Sequence, residues 1–162
     1  MTTHQPTLPA LSRRHAMSHR PSRRRRVAGV AAAGFLVIAS FQVALAVGAP
    51  FGRAAFGGAN VGTLPLDLRL VSAVAAALWA LAALHALSRG GFLRRFPLLG
   101  KGRVTWVLAG VTALGALMNA ASSSPWQRFG WAPLTLSISI LCVILGRRAS
   151  REGIRDEDRG SQ

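Results

Sequence analysis

Eight polar residues fall at or near the ends of apolar stretches: Gln42, Asp67, Arg69, Asn119, Ser122, Ser124, Gln127 and Arg128. Two guanidinium groups with neighbouring amides and hydroxyls have the chemistry to hold an anion or a lipid headgroup, because charged donors make the stronger hydrogen bonds. The same residue types also cap helix ends and bond across helices. Both readings stay open on sequence grounds: a polar vestibule with Arg69 and Arg128 as its charges, or a set of caps in which Asp67 pairs with Arg69 or caps its own helix.

Other chemistry is thin. His85 is the only histidine outside the first 20 residues, and no second ligand accompanies it. Metal and haem sites draw on several ligands, so His85 reads as an interfacial residue of a Leu-rich face. Cys142 is the single cysteine, which leaves no thiol pair for redox work and no disulfide framework. No Asp or Glu lies inside an apolar stretch. Proton-coupled transport normally needs such a carboxylate or a His relay. No phosphate-binding glycine loop and no Ser–His–acid set is present. The expectation is a chain that is not an enzyme and carries no cofactor.

The elements that would position these groups are four apolar stretches, residues 27–47, 70–87, 104–121 and 131–145. The first has 21 residues and, at a rise of ~1.5 Å each, spans about 31 Å, enough for a bilayer. Arginines 23–26 ahead of it and Ala44-Leu45-Ala46 at its end also fit a cleavable signal peptide. Its length favours a retained helix. The basic residues alternate around the stretches. Seven precede the first, five lie between the second and third, five follow the fourth, and only Arg53, Arg69 and Arg128 fall in the other two gaps. That 17-to-3 division predicts a four-helix transmembrane bundle in the plasma membrane with both termini in the cytoplasm. The net charge of +15 therefore belongs beside anionic headgroups, and nucleic acid is not expected as a partner.

Residues 1–26 read as a disordered basic tail, 27–146 as the membrane domain and 147–162 as a second cytoplasmic tail with a helical start. The segment 48–68 holds five glycines and two prolines, so it cannot stay helical. It also carries Phe51, Phe56 and Leu64, too apolar for a free linker. The expectation is an ordered, Gly-rich first outer loop that packs over the second, with Gly57-Gly58 approaching the bundle closely and Arg69 near Arg128.

Small residues predict the packed faces. In the second stretch these are Ser72, Ala75, Ala76, Trp79, Ala82, Ala83 and Ala86; in the third, Thr105, Ala109, Thr112, Ala116 and Asn119; in the fourth, Thr135, Ser139 and Cys142. Leu108, Val111 and Val143 are expected on lipid-facing sides. Pro133 is expected at the start of the fourth helix, where a missing N–H is harmless.

Two segments carry a family likeness. One is Gly48-Ala49-Pro50-Phe51-Gly52 followed by Gly57-Gly58, Gly62, Leu64-Pro65, Leu68-Arg69 and Ser72. The other is Asn119, Ser122, Ser124, Gln127-Arg128, Trp131 and Pro133. Together they resemble a family of small four-helix bacterial membrane proteins, over roughly residues 27–148. The family pattern has Trp where Phe51 stands and Glu where Gln127 stands, and the second departure removes an acidic partner for Arg128. The resemblance implies the four-helix fold and two outer loops that matter together; it implies no activity. The function expected is therefore that of a non-enzymatic scaffold, accessory or interaction protein of the cell envelope. A small oligomeric channel or transporter for an anionic or neutral solute is the alternative. Partners would be anionic lipid headgroups and other membrane proteins or further copies of the chain.

Overall fold

The structure is a computed structural model that describes residues 23–93 and 102–160, with side chains described as far as 147. Residues 1–22, 94–101 and 161–162, and with them most of the expected N-terminal tail, lie outside the described residues. The described chain is helical, with α1 (Arg23–Ala46), α2 (Leu66–Arg89), α3 (Gly102–Ala120) and α4 (Ala132–Gly160). Four helices, the last counted from Gln127 to Arg147, are each long and apolar enough to cross a membrane. Their outward faces form a continuous apolar belt that includes Val30, Val37, Val74, Leu78, Leu114, Leu117, Leu136 and Ile140, all exposed. A belt of that extent suits a multi-pass helical bundle in a bilayer.

The helices run past the apolar stretches. Arg23 to Arg26 form the first turn of α1 rather than part of a tail, and Asp67 and Arg69 lie inside α2 rather than before it. The helical path of α4 continues to Gly160. Its beginning differs most from expectation. Helical residues 125 and 126 come first, then a π turn (Gln127–Trp131), then α4 proper. Pro125, not Pro133, therefore occupies the first helical position. Pro133 falls inside the helical path, where its ring would crowd the carbonyl four residues back. The π turn immediately before it, in which the Ala132 N–H reaches the Gln127 carbonyl, loosens that turn.

α1 packs along α2, α3 packs along α4, and α1 joins the two hairpins through α4. The contact of α1 with α4 is close at Gly34, where a Cβ would stand 2.7 Å from Ile138 Cγ1. Phe35 fills the centre, fully buried, and stacks on Trp79 with ring centroids 5.7 Å apart. Around it lie Ala28, Ala31, Ala83, Ala109, Ile138 and Cys142. The small-residue stripes behave as expected: Ser72, Ala76, Ala82, Ala83 and Ala86 of α2, and Thr105, Ala109, Thr112 and Ala116 of α3, are buried. Close approach lets Ser139 of α4 donate to the Ala109 carbonyl of α3 at 2.8 Å. Leu108 and Val143, expected to face lipid, are instead half-buried against the core. Val111 is exposed, as expected.

α2 and α3 touch only briefly. His85, expected at a lipid interface, is buried there and shares a 2.9 Å hydrogen bond with Thr105. The Leu-rich stripe of α2 is exposed higher up and becomes covered where α3 crosses its last turns. Thr105→Val should destabilise the protein by about 1 kcal/mol, within the range measured for interhelical side-chain bonds in membranes. Thermal unfolding in detergent measures it, and no loss would mean that the pair contributes nothing. Arginines tie the α1–α2 hairpin at both ends. Arg24 Nε donates to the Arg89 carbonyl at 2.7 Å, and Arg69 Nε donates to the Ala46 carbonyl at 3.0 Å. Each guanidinium thus meets an orphan carbonyl at the C-terminal end of the neighbouring helix, where the helix dipole favours a cation.

Candidate functional site

The end of the bundle opposite the start of α1 and the start of α3 carries the α1–α2 and α3–α4 connections, and the polar candidates lie at this distal end. The α1–α2 connection is built, not slack. Two short 3₁₀ turns, Gly52–Ala54 and Phe56–Gly58, fold it back on itself. The Gly52 N–H donates to the Gly62 carbonyl at 2.9 Å, and Thr63 Oγ1 donates to the Gly48 carbonyl at 3.1 Å. Leu64 and Ala55 are buried against Leu45 of α1, which anchors the segment to the bundle. Phe51 and Phe56 stay exposed, so Leu64 rather than either aromatic is the large apolar residue of this segment that is buried as an anchor.

Two hydroxyls join this connection to the α3–α4 turn. Ser124 Oγ donates to the Arg53 carbonyl at 2.6 Å, and Ser123 Oγ donates to the Gly57 carbonyl at 3.0 Å. Gly58 sits where a Cβ would come within 2.9 Å of the Ser124 Cβ, and its φ is +80°. Gly57 has a φ of +77° but open space around it. The expected close approach therefore belongs to Gly58, while Gly57 contributes its conformation and its carbonyl. Ser123 is not one of the eight candidates; in a run of three serines nothing in the sequence marks which hydroxyl turns toward the other loop.

The eight candidates do not form one site: Ser124 belongs to the junction just described, Ser122 bonds both Gln127 and Arg128, and the other six separate by charge. Gln42, Asn119 and Gln127 come together in a crevice of about 380 Å³, open where α2 and α3 part and also lined by Trp79, Thr112 and Thr135. Thr112 and Thr135 each donate back to their own helix, to the Leu108 and Trp131 carbonyls at 2.7 Å. Gln127 Oε1 accepts from Ser122 Oγ. Gln42 Oε1 is buried without a donor among the described residues. An amide oxygen so placed costs on the order of 1–3 kcal/mol. The crevice itself is mainly apolar, with these amides and threonines among its lining.

The charged candidates go elsewhere. Arg69 is engaged with Ala46, and Arg128 Nη2 donates to the Ser122 carbonyl at 3.0 Å on the surface. Asp67 is exposed, and among the described residues no ion pair joins it to Arg69. Neither Arg69 nor Arg128 lines the crevice or the two cavities described next, so their positions give no support to an anion held between them.

A larger cavity, about 690 Å³, lies on the other side of the π turn. Its walls are Phe41, Phe51, Ala54, Val61, Trp131 and Leu134, with Arg53 and Trp126 at one edge. Phe41 is the hinge of this wall, 4.4 Å from Trp131 and 6.4 Å from Phe51 between ring centroids. Gly130, inside the π turn, leaves one side without a side chain. A recess of about 370 Å³ adjoins it and is bounded by Gly57, Gly58, Ser123, Ser124 and Pro125. Among the described residues, no three His, Cys, Asp or Glu side chains gather at this end or elsewhere. No protein-family model, no curated protein and no solved structure matches this chain.

Proposed function

We propose that the chain is a multi-pass protein of the plasma membrane with both termini in the cytoplasm, and that it serves as a non-enzymatic scaffold or accessory protein whose distal face points out of the cell. The observation that carries this reading is the joined distal surface. Two connections, 71 residues apart at Arg53 and Ser124, are tied by side-chain-to-backbone hydrogen bonds and by the Gly58 contact. A surface held in one shape is what an interaction protein presents to a partner, because little ordering entropy remains to be lost on binding. The two segments that resemble the four-helix bacterial family are the two that these bonds join, which supports a place in that family. Retention of α1 is supported by its share of the core, Phe35 and Leu45 included.

The 17-to-3 charge division supports the orientation. It gives a direct test. Reporter fusions after Arg20, Ala59, Leu98, Gln127 and Arg151 should read inside, outside, inside, outside, inside. An external signal at Leu98 would overturn the topology and with it the outward-facing platform. Affinity purification of the full chain from mild detergent should then recover a larger membrane complex or further copies of the chain. Solute flux in proteoliposomes with no such complex would favour a small channel instead, with the crevice at Gln42, Asn119 and Gln127 as its polar element. Nucleic acid is not among the partners proposed.

A further inference from the structure

The two adjoining distal cavities differ in chemistry and share one edge. The larger is apolar and aromatic, about 690 Å³, inside the span of about 300–1,000 Å³ usual for ligand pockets. The smaller, about 370 Å³, is the more polar of the two, with Gly57, Gly58, Ser123 and Ser124 in its wall beside Val61, Pro125 and Trp126. Arg53, Val61 and Trp126 line both. The Arg53 side chain is exposed and, among the described residues, engages no hydrogen-bond or ion-pair partner; only its backbone carbonyl is used. Every other described arginine at this end already holds a carbonyl.

From this juxtaposition we infer that the distal face binds one anionic glycerophospholipid, with an acyl chain in the aromatic chamber and the phosphate at Arg53 over the polar recess. The inference rests on the outward-facing membrane reading and names a ligand for that face. Three features select this occupant. A chamber of aromatic and aliphatic walls accepts a hydrocarbon chain by close packing, because the chain passes from one apolar medium, the bilayer, into another. A free anion would have no use for it. A guanidinium at the mouth binds a phosphate bidentately and prefers an anionic to a zwitterionic lipid. Trp126 and Trp131 mark the level of the headgroups, where amphipathic rings concentrate, so chamber and mouth stand at the depth of chain and headgroup of a lipid in the same leaflet. Trp126 lines both cavities, and Pro125, the first residue of α4's helical path, lines the recess, so the recess lies at a helix start, where the dipole favours an anion.

The test is native mass spectrometry of the full chain released from bilayers of equal anionic and zwitterionic phospholipid. Wild type should retain one lipid per chain, enriched in the anionic species. Arg53→Gln should lower that enrichment about tenfold, the size of one charge-assisted contact. Arg103→Gln, which removes an equal charge from an exposed position at the opposite end, should leave it unchanged. Val61→Trp, which fills the chamber from its exposed edge, should reduce retention of both lipids. Equal retention in wild type and Arg53→Gln overturns the inference. So does a lipid-free dimer, which would mean that a second copy covers the chamber, and so does binding of inorganic phosphate without lipid. The measurement does not depend on which side the termini face, so failure here and failure of the reporter topology are separate results.

Discussion

Leucine in place of Ala109 will lower the stability of the bundle by about 2–3 kcal/mol, the upper part of the range for overpacking a tight core. Ala109 is buried in the centre of α3's small-residue stripe, and its carbonyl accepts from Ser139 of α4 at 2.8 Å. Three added heavy atoms have nowhere to go but between α3 and α4. They would separate the helices, break the Ser139 bond and open contacts along Cys142 and Ile138, which share the same cluster. Ala116→Leu acts on the next turns of the same face and should cost a similar amount. Val111→Leu, on the exposed face of α3, is the control and should stay within about 0.5 kcal/mol of wild type. Thermal unfolding in one detergent, read by tryptophan fluorescence, gives the comparison. Equal melting of the 109 and 111 variants would show that the stripe is no interface.

That stripe was visible in the sequence because helical spacing and residue size both mark it, and close packing of small residues is a main driver of helix association in lipid. The same two-face reasoning missed Leu108 and Val143. It treats each helix as having one partner, whereas α4 packs on both α3 and α1 and so covers a wider arc. His85 was misplaced for a related reason. Its face of α2 is lipid-exposed at Leu78 and Leu81, and only the crossing of α3 at Thr105 buries its last member. The start of α4's helical path was hidden by two prolines, either of which fits a first turn. The choice depends on a π turn that no residue type announces. Arg53 was passed over as one of three stray cations. Its importance comes from a neighbour at position 126, brought near by the Ser124–Arg53 bond across 71 residues. Composition and charge placement are local properties and were legible; which arginine stays unengaged is decided by tertiary contacts and was not.

The junction of the two connections should fail more readily at Gly58 than at its neighbour. Both Gly57 and Gly58 have φ near +80°, a conformation that costs a residue with a Cβ about 1–2 kcal/mol. Alanine at 57 meets open space, so Gly57→Ala carries that conformational cost alone. Alanine at 58 carries it too, and its Cβ also lands 2.9 Å from Ser124 Cβ and 3.2 Å from the Arg53 carbonyl. The Ser124–Arg53 hydrogen bond lies between those two contacts and cannot keep its 2.6 Å length if they move apart. The connection would lift from the α3–α4 turn while α1 and α2 stay packed. Trypsin cleavage after Arg53 in detergent reports the lifted population, because cleavage of a fast-opening segment follows its opening equilibrium. Each 1.4 kcal/mol is about a tenfold rise in rate. Gly57→Ala should then speed cleavage by about tenfold and Gly58→Ala by roughly a hundredfold, with global melting little changed. Adding Ser124→Gly to Gly58→Ala removes the overlapping Cβ and should bring the rate back toward that of Gly57→Ala, short of wild type because the Ser124 hydroxyl is lost. Equal rates for the two single variants would mean that Gly58 does not touch the turn. The two connections would then be independent segments, and the joined distal face on which the interaction reading depends would be absent.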